Sequence, residues 1–197
     1  EYPPLAKEEL AQVWLVSPDD LTSEQYTGCS TPTNCTLAIY WGNPGATGAD
    51  KPAIEISLIY QIANGEYKSA RYFLDREARN GFEPSGIDTP SNSIITTLSP
   101  TVGKNFLYKR NINVSSTGLP GLRKLFLLRA RLLYNSSSQS FAVAPASGFS
   151  LPVQARLFTS TGVSGNTQRK VQVFRINKVV PPYFDYAIFS AGDINKR

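Results

Sequence analysis

The sequence predicts an all-β protein, mainly an antiparallel β-sandwich, in which the 197 residues form a single β-rich domain. Segments in which hydrophobic and polar side chains alternate recur along the chain, and this period of two is typical of strands. Turn-forming residues separate the segments at short intervals, a spacing that is typical of sandwiches. A chain of this length can also bury a substantial core.

The N-terminal arm, residues 1–10, is predicted to be extended. A short helical lead-in is the alternative, which Pro3 and Pro4 oppose because proline has no amide hydrogen and restricts the residue before it. Two apolar segments, residues 11–16 and 36–41, follow and are predicted to be short strands. A stretch rich in glycine and proline comes after the second segment, as expected of a turn.

Residues 53–74 contain the clearest local pattern, a predicted β-hairpin. Apolar side chains recur at every second position of its first strand and therefore share one face. They are Ile54, Ile56, Leu58, Tyr60 and Ile62. Asn64-Gly65 follows, which is a favoured two-residue hairpin turn. The return strand is predicted over residues 66–74, with Ala70, Tyr72 and Leu74 on one side.

The remaining strands are separated by a long loop, residues 75–103, in which glycine and proline recur. Residues 123–134 alternate in polarity and are predicted to form a strand, although leucine and arginine also favour helix. Further strands are expected at residues 105–114, 141–144, 151–160 and 169–176. The last two are expected to pair around a turn at residues 161–166.

No enzyme site is predicted. The chain has no histidine, which removes the usual general base near neutral pH and the commonest metal ligand. The adjacent carboxylates Asp19 and Asp20 are interpreted as solvated loop charges. Asp75 and Glu77 are interpreted in the same way, with a calcium site that includes Asn80 as the alternative. We therefore expect no catalytic residue, no metal and no cofactor.

The two cysteines, Cys29 and Cys35, are predicted to close a small loop as a disulfide, with two free thiols as the alternative. The disulfide is the interpretation for an exported protein and the free thiols are that for a cytosolic one. We expect an extracellular or bacterial cell-surface location. The chain has no methionine, and its apolar runs are shorter than the roughly 20 residues that cross a bilayer. We expect a processed form or an excised piece, with no membrane segment in this chain.

Charge is divided unevenly along the sequence. Residues 1–88 hold 13 acidic and 6 basic side chains, whereas residues 89–184 hold 12 basic and no acidic ones. The two halves either form facing sheets whose charges balance, or the acidic half of one copy contacts the basic half of the next. In a third interpretation the basic half binds an acidic polymer, including DNA. The candidate anion-binding residues are Lys109, Arg110, Arg129 and Arg131.

The C-terminal third resembles a known family. The segments that carry the resemblance are Leu151-Pro152-Val153-Gln154, Thr159-Ser160-Thr161-Gly162, Arg169-Lys170-Val171-Gln172-Val173 and Pro181-Pro182-Tyr183-Phe184-Asp185-Tyr186-Ala187-Ile188-Phe189-Ser190-Ala191-Gly192. With residues 53–60 and 66–72, this succession is similar to bacterial type IV pilin-like proteins, especially minor-pilin-like pilus assembly proteins. The resemblance concerns the globular head, without the family's hydrophobic N-terminal helix. It implies self-association or binding to other pilus subunits, and no catalytic residue.

Apolar side chains near both termini are candidates for assembly contacts. They belong to the N-terminal strand and to an aromatic C-terminal segment, residues 179–197. The candidates are Trp14, Val16, Tyr183, Phe184, Tyr186 and Phe189. Such side chains either pack on the domain's own core or dock on a neighbouring subunit, adding a strand to its sheet edge.

The sequence therefore predicts an exported structural subunit or accessory of a bacterial surface filament that resembles a type IV pilus, acting in assembly and adhesion. The alternative is a secreted β-sandwich module that binds carbohydrate or an acidic polymer. In that alternative Trp14, Trp41 and the tyrosines form a stacking platform.

Overall fold

The computed structural model describes residues 2–19, 21, 35–89, 94–95, 103–115, 117–146, 149–165 and 167–177. These residues form twelve β-strands and two single-turn 3₁₀ helices, Gly48–Asp50 and Arg79–Gly81. The strands are β1 (Tyr2–Leu5), β2 (Leu10–Trp14), β3 (Thr36–Trp41), β4 (Ala53–Ile62), β5 (Tyr67–Leu74), β6 (Ile94–Ile95), β7 (Gly103–Lys104), β8 (Tyr108–Asn113), β9 (Leu122–Leu133), β10 (Gln139–Pro145), β11 (Ala155–Ser164) and β12 (Thr167–Ile176). None of the helices in these ranges is long and apolar enough to cross a bilayer.

Two four-stranded antiparallel sheets pack on one apolar core. Sheet 1 has the order β1-β10-β3-β8, and sheet 2 has the order β2-β9-β4-β5. The core is formed mainly by side chains from the central strands of each sheet. They include Leu37, Ile39 and Trp41 from sheet 1 and Ile54, Ile56 and Leu58 from sheet 2, all fully buried. The predicted all-β, antiparallel fold class is confirmed.

The hairpin β4–β5 forms as the sequence predicts. The alternating apolar side chains of β4 face the core, where Ile54, Ile56 and Leu58 are fully buried and Tyr60 is 5% exposed. Gly65 lies at φ +91°, a backbone conformation that glycine adopts without steric cost. The carboxamide oxygen of Asn64 accepts a hydrogen bond from the Glu66 amide at 3.1 Å, which completes the turn.

Strand β9 confirms the alternation and excludes the helical alternative. Leu128, Ala130 and Leu132 face the core and are fully buried. The pairing with β4 shifts by one residue after Ile59, so that Leu125 and not Phe126 enters the core. Such a bulge changes the face on which the β9 residues before Leu127 lie. The alternation predicted for residues 123–134 therefore breaks at Phe126, whose ring contacts Tyr67 instead, at 5.1 Å between centroids.

The N-terminal residues are extended, and the helical lead-in is wrong. Strand β1 pairs with β10 in sheet 1, and β2 pairs with β9 in sheet 2. Leu5 at the end of β1 is 1% exposed and belongs to the core. Burial of this side chain and the lack of amide donors at Pro3 and Pro4 both favour an edge strand over a helix.

The interpretation in which the acidic and basic halves form facing sheets is wrong. Strands β1 and β3 of the first half alternate in sheet 1 with β8 and β10 of the second half. In sheet 2, β9 of the second half lies between β2 and β4 of the first half. Because both sheets mix the halves, charges that are distant in the sequence become neighbours across adjacent strands.

Isoleucine-to-alanine changes on the two faces of β4 test the core assignment. We expect Ile56→Ala to lower the free energy of unfolding by about 3–4 kcal/mol, because it leaves a cavity between the sheets. Chemical denaturation at neutral pH measures this. The matched control Ile59→Ala lies on the partly exposed face of the same strand, and we expect a loss of about 1 kcal/mol. Equal losses at the two positions would contradict the assignment.

Candidate interaction surface: the projecting hairpin

Strands β11 and β12 form a hairpin that belongs to neither sandwich sheet. Ten residue pairs join them, from Ala155–Ile176 to Ser164–Thr167. The predicted pairing is confirmed, but two residues rather than six separate the strands. Gly165 after β11 has φ +58°, which glycine accommodates. The strands are rich in threonine, valine and phenylalanine, which favour extended backbone.

The hairpin is exposed along nearly its whole length. From position 156 to 164 every side chain is exposed, whereas the strands of the sandwich each bury one face. Five large apolar side chains are accessible. They are Leu157 at 49% exposure, Phe158 at 53%, Val163 at 71%, Val171 at 59% and Val173 at 55%. An isolated two-stranded hairpin is only marginally stable in water, and clustered exposed apolar groups mark an interaction site.

Polar contacts attach the base of the hairpin to the edge of sheet 2. The side-chain carboxamide of Gln154 accepts a hydrogen bond from the Trp14 amide at 2.8 Å and donates one to the Trp14 carbonyl at 2.9 Å. Across the base of the hairpin itself, the Asn177 carboxamide donates to the Val153 carbonyl at 2.7 Å. The contacts of Gln154 fix where the hairpin leaves the sandwich.

One face of the hairpin combines arginine with apolar side chains. Directly paired residues share a face of an antiparallel ribbon. The pairs on this face are Arg156 with Arg175, Phe158 with Val173, Ser160 with Val171, Gly162 with Arg169 and Ser164 with Thr167. We call it the arginine face. The opposed pair Arg156 and Arg175 is destabilising because like charges lie side by side. Arg156 forms an exposed ion pair with Asp19 at 3.2 Å.

The hairpin and the residues after it account for the net charge of the chain. Residues 1–154 contain 13 acidic and 13 basic side chains, so they are neutral overall. Residues 155–197 contain seven basic and two acidic side chains, which gives the net charge of +5. The excess of basic over acidic side chains is therefore carried by residues 155–197.

Two of the predicted assembly residues, Trp14 and Val16, lie among the described residues, and neither is part of the exposed hairpin. Val16 is buried, with 1% exposure. Trp14 is partly buried, and its backbone amide donates a hydrogen bond to the Gln154 side chain. Trp41 is fully buried, and its indole donates to the Pro52 carbonyl at 3.0 Å, so it is no stacking platform. The aromatic candidates Tyr183, Phe184, Tyr186 and Phe189 lie outside the described residues and stay predictions.

The neighbouring basic residues Lys109 and Arg110 lie on opposite faces of sheet 1, because successive side chains of a strand alternate. The Lys109 ammonium lies 5.5 Å from the centre of the Tyr40 ring. The Arg110 guanidinium donates a hydrogen bond to the Ser85 carbonyl. The two predicted anion-binding residues therefore do not form a common surface.

The other two candidates, Arg129 and Arg131, lie in a charged cluster on the outer face of sheet 2. The Glu55 carboxylate accepts hydrogen bonds from two nitrogens of Arg131, one at 3.2 Å. Arg71 lies 3.7 Å from the other oxygen of Glu55. Arg129 is 4% exposed. The ion pair and this burial make the cluster a structural element of the sheet rather than a surface open to a polymer.

The disulfide prediction concerns one described cysteine. Cys35 is disulfide-bonded and 1% exposed, at the start of β3. Cys29 lies outside the described residues. The pairing of Cys29 with Cys35 stays a prediction.

Asp75 forms an ion pair with Arg79. Its carboxylate accepts hydrogen bonds from the Arg79 guanidinium at 2.7 and 3.0 Å and from the backbone amides of Glu77 and Arg79, each at 3.0 Å. Glu77 accepts a hydrogen bond from Lys51 at 3.0 Å. The described residues contain no group of three or more His, Cys, Asp or Glu that could hold a metal ion.

Sequence reasoning identified β11 and β12 as strands but missed their exposure. The available signal was in β12, where both faces carry charge: Arg169 and Arg175 share one face with Val171 and Val173, and Lys170 lies on the other. A strand that packs on a core has one face free of charge. Charge on both faces of one strand of the predicted hairpin therefore indicates that the hairpin lies outside the core.

The described residues define the class of this protein as an antiparallel β-sandwich with an exposed basic hairpin. In comparisons with known proteins, no family model, no curated protein and no solved structure matched the chain.

The Asp75–Arg79 pair predicts a dependence of stability on pH. Burial by itself raises the pKa of Asp75, but the hydrogen bonds from Arg79 and from the two backbone amides outweigh it and leave the pKa below its ordinary value of 3.8. The hydrogen bonds from Ser137 and Ser136 lower the pKa of Asp50 in the same way. A carboxylate whose pKa is lowered by folding stabilises the protein above its ordinary pKa, and this stabilisation is lost as the pH falls below that value.

We expect Asp75→Asn to lower the free energy of unfolding by about 2–3 kcal/mol at pH 7, because it removes a buried charged acceptor. We expect the difference in the free energy of unfolding between variant and wild type to shrink as the pH is lowered from 5 to 2. Urea titrations at each pH measure it. Asp88→Asn is the control: its carboxylate is exposed and only its backbone pairs with β8, so we expect less than about 0.5 kcal/mol. A difference that does not change with pH would contradict the role of Asp75.

Proposed function

We propose that this chain is an exported structural subunit or accessory of a bacterial surface filament that resembles a type IV pilus. It acts by assembly and adhesion, and the β11–β12 hairpin is the element that makes the contact. The observation that carries the proposal is the exposure of the hairpin, whose five large apolar side chains have no cover among the described residues.

The architecture supports contact rather than chemistry as the role of this part of the chain. The side chains of the arginine face are held on strands, and the hydrogen bonds of Gln154 to Trp14 attach the hairpin to the sandwich. A rigid scaffold that presents one exposed element is typical of interaction modules. The sequence resemblance to pilin-like proteins includes residues 159–162 and 169–173, which lie within β11 and β12.

Association of the purified protein tests this proposal. We expect concentration-dependent oligomers in sedimentation velocity at both 50 mM and 500 mM salt. The triple variant Phe158→Ser, Val171→Thr, Val173→Thr removes apolar contact area and should weaken association at least about tenfold, which corresponds to 1.4 kcal/mol.

The control for this experiment is Tyr67→Ser, which removes an apolar side chain of 62% exposure from the sandwich. We expect it to leave association unchanged, and both variants to retain the far-ultraviolet circular dichroism of the wild type. A wild-type protein that stays monomeric at the highest concentration and at both salt concentrations would count against the proposal.

A second candidate function is binding of an acidic polymer, and the arginine face favours it. Arg156, Arg169 and Arg175 lie on this face, and the hairpin contains no carboxylate. Guanidinium groups bind planar oxyanions in bidentate geometry. The exposed Phe158 ring between them offers an apolar surface for a sugar ring or a base.

Polymer binding is tested with a polyuronate and with single-stranded DNA as probes. If the three arginines contact the polymer, the affinity falls about 20- to 40-fold between 50 and 200 mM salt. Arg169→Ser with Arg175→Ser should reduce both the affinity and this salt dependence. Lys68→Ser with Arg123→Ser changes the net charge equally at exposed sites of the sandwich and serves as the control. Equal losses of affinity in the two double variants would indicate unspecific electrostatic attraction.

A further inference from the structure

Two edges of sheet 1 carry features that prevent pairing with another strand. Edge strand β1 contains Pro3 and Pro4, which have no amide hydrogen to donate. At edge strand β8, the backbone of Asp88 already pairs with Lys109 through hydrogen bonds of 2.8 and 2.9 Å. Both edges are therefore protected in ways that natural sheets commonly use.

The edges of sheet 2 are protected as well. At β2, the Gln154 side chain occupies the amide and the carbonyl of Trp14. At β5, the backbone of Glu83 pairs with the C-terminal end of the strand. Lys68 and Arg71 place charges on the remainder of β5, and charged side chains oppose edge pairing.

Strand β11 lacks such protection along residues 157–163. This run, Leu-Phe-Thr-Ser-Thr-Gly-Val, has no charge and no proline. Among the described residues β11 pairs with β12 alone, so its other edge is open. The outer edge of β12, in contrast, carries Arg169, Lys170 and Arg175. A long, uncharged and exposed edge invites pairing with another strand.

The register of the hairpin identifies which backbone groups are available on this edge. Ser164 and Thr167 close the two-residue turn and form a hydrogen-bonded pair, as is usual in such hairpins. The backbone groups of alternate residues then point toward β12 and away from it. Those that point away belong to Leu157, Thr159, Thr161 and Val163.

We propose that the open edge of β11 pairs antiparallel with β11 of a second copy of this chain, around a two-fold axis at Ser160. The inference rests on the proposed assembly function and specifies its contact. It forms one four-stranded sheet with the order β12-β11-β11-β12, in which the charged strands take the outer positions. A two-fold contact of this kind closes at two copies, so a longer filament uses a further surface.

The sequence of β11 is self-complementary in this register. The pairs are Leu157 with Val163, Thr159 with Thr161, Phe158 with Gly162, and Ser160 with its own copy. Apolar pairs and threonine pairs are favourable across antiparallel strands. At Gly162 no atom lies within 4 Å of where a Cβ would stand, so the Phe158 ring of the second copy has room to cover it.

Charge distinguishes a second copy from an acidic polymer as the occupant. Each hairpin is basic, so two copies repel each other at low salt and salt screens this repulsion. The pairing places Arg169, Lys170 and Arg175 of both copies at the outer edges, which keeps the repulsion small. We therefore expect association through β11 to strengthen with salt, whereas polymer binding weakens.

Proline substitution on the two edges tests the inference. Thr159→Pro removes an outward amide of β11 and leaves the hydrogen bonds to β12 in place, so we expect the dimer dissociation constant to rise at least about tenfold. Gln172→Pro places proline at the paired position on the other edge and is the matched control. We expect it to dimerise like the wild type in sedimentation equilibrium.

A cysteine variant gives a second measurement that does not depend on how the fold tolerates proline. In the proposed register Ser160 meets its own copy at a Cα separation of about 4.5 Å, within the range that a disulfide spans. Mild oxidation of Ser160→Cys should give a covalent dimer. Thr167→Cys, on β12 beside the turn, should give at least about tenfold less.

The outcomes separate this inference from the proposed function. One outcome would overturn the β11 pairing and leave the assembly function standing. In that outcome the wild type associates and the triple variant at Phe158, Val171 and Val173 weakens association, but neither Thr159→Pro nor Ser160→Cys behaves as expected. If the wild type stays monomeric, both fail. A monomer in which amides of residues 157, 159 and 161 are protected from hydrogen exchange would show that another part of the same chain covers this edge, and would also overturn the inference.

Discussion

Strand edges are the constraint on which the rest of this structure depends. The backbone of a strand must find hydrogen-bond partners on both sides, or its unpaired side must be protected. The sandwich meets this requirement with proline in β1, a glutamine side chain at β2 and backbone pairs at β8 and at the end of β5. The hairpin β11–β12 meets it on one side only, through the charges of β12.

The second constraint is which apolar side chains are buried on folding and which stay exposed. Each sheet of the sandwich buries its inner face, and the two inner faces form one core. The hairpin carries phenylalanine, leucine and valine on strands that have no facing sheet among the described residues. Burial of apolar groups is the main driving force of folding and of association alike. Apolar side chains that folding leaves exposed are therefore available to drive contact between molecules.

The distribution of charge in the fold follows from the same arrangement of strands. The acidic and basic halves of the sequence interleave in both sheets, which places carboxylates such as Glu55 beside arginines of a distant strand. Residues 1–154 are neutral in sum, so the net charge of the sequence comes from residues 155–197. The hairpin β11–β12 carries four basic and no acidic side chains, and this charge affects association and the choice of partner.

Much of the fold could be predicted from local sequence, because alternation determines strand and face within a segment. Residues 36–41 and the hairpin at Asn64-Gly65 are predicted from alternation and turn chemistry alone. The bulge in β9 was not predictable, since it arises from pairing with β4 and not from the residues of β9 themselves. The dispersal of Lys109, Arg110, Arg129 and Arg131 over separate surfaces also depends on which strands become neighbours.

The sequence by itself determined the fold class, the strand segments and the uneven distribution of charge. The tertiary structure decided which strands share a core, which edges are covered and which hairpin projects. The reason is that the period of side chains is a local property, whereas pairing joins residues that are distant along the chain. Gln154 and Trp14, 140 positions apart, illustrate this: their hydrogen bonds fix the base of the hairpin, and neither residue alone predicts them.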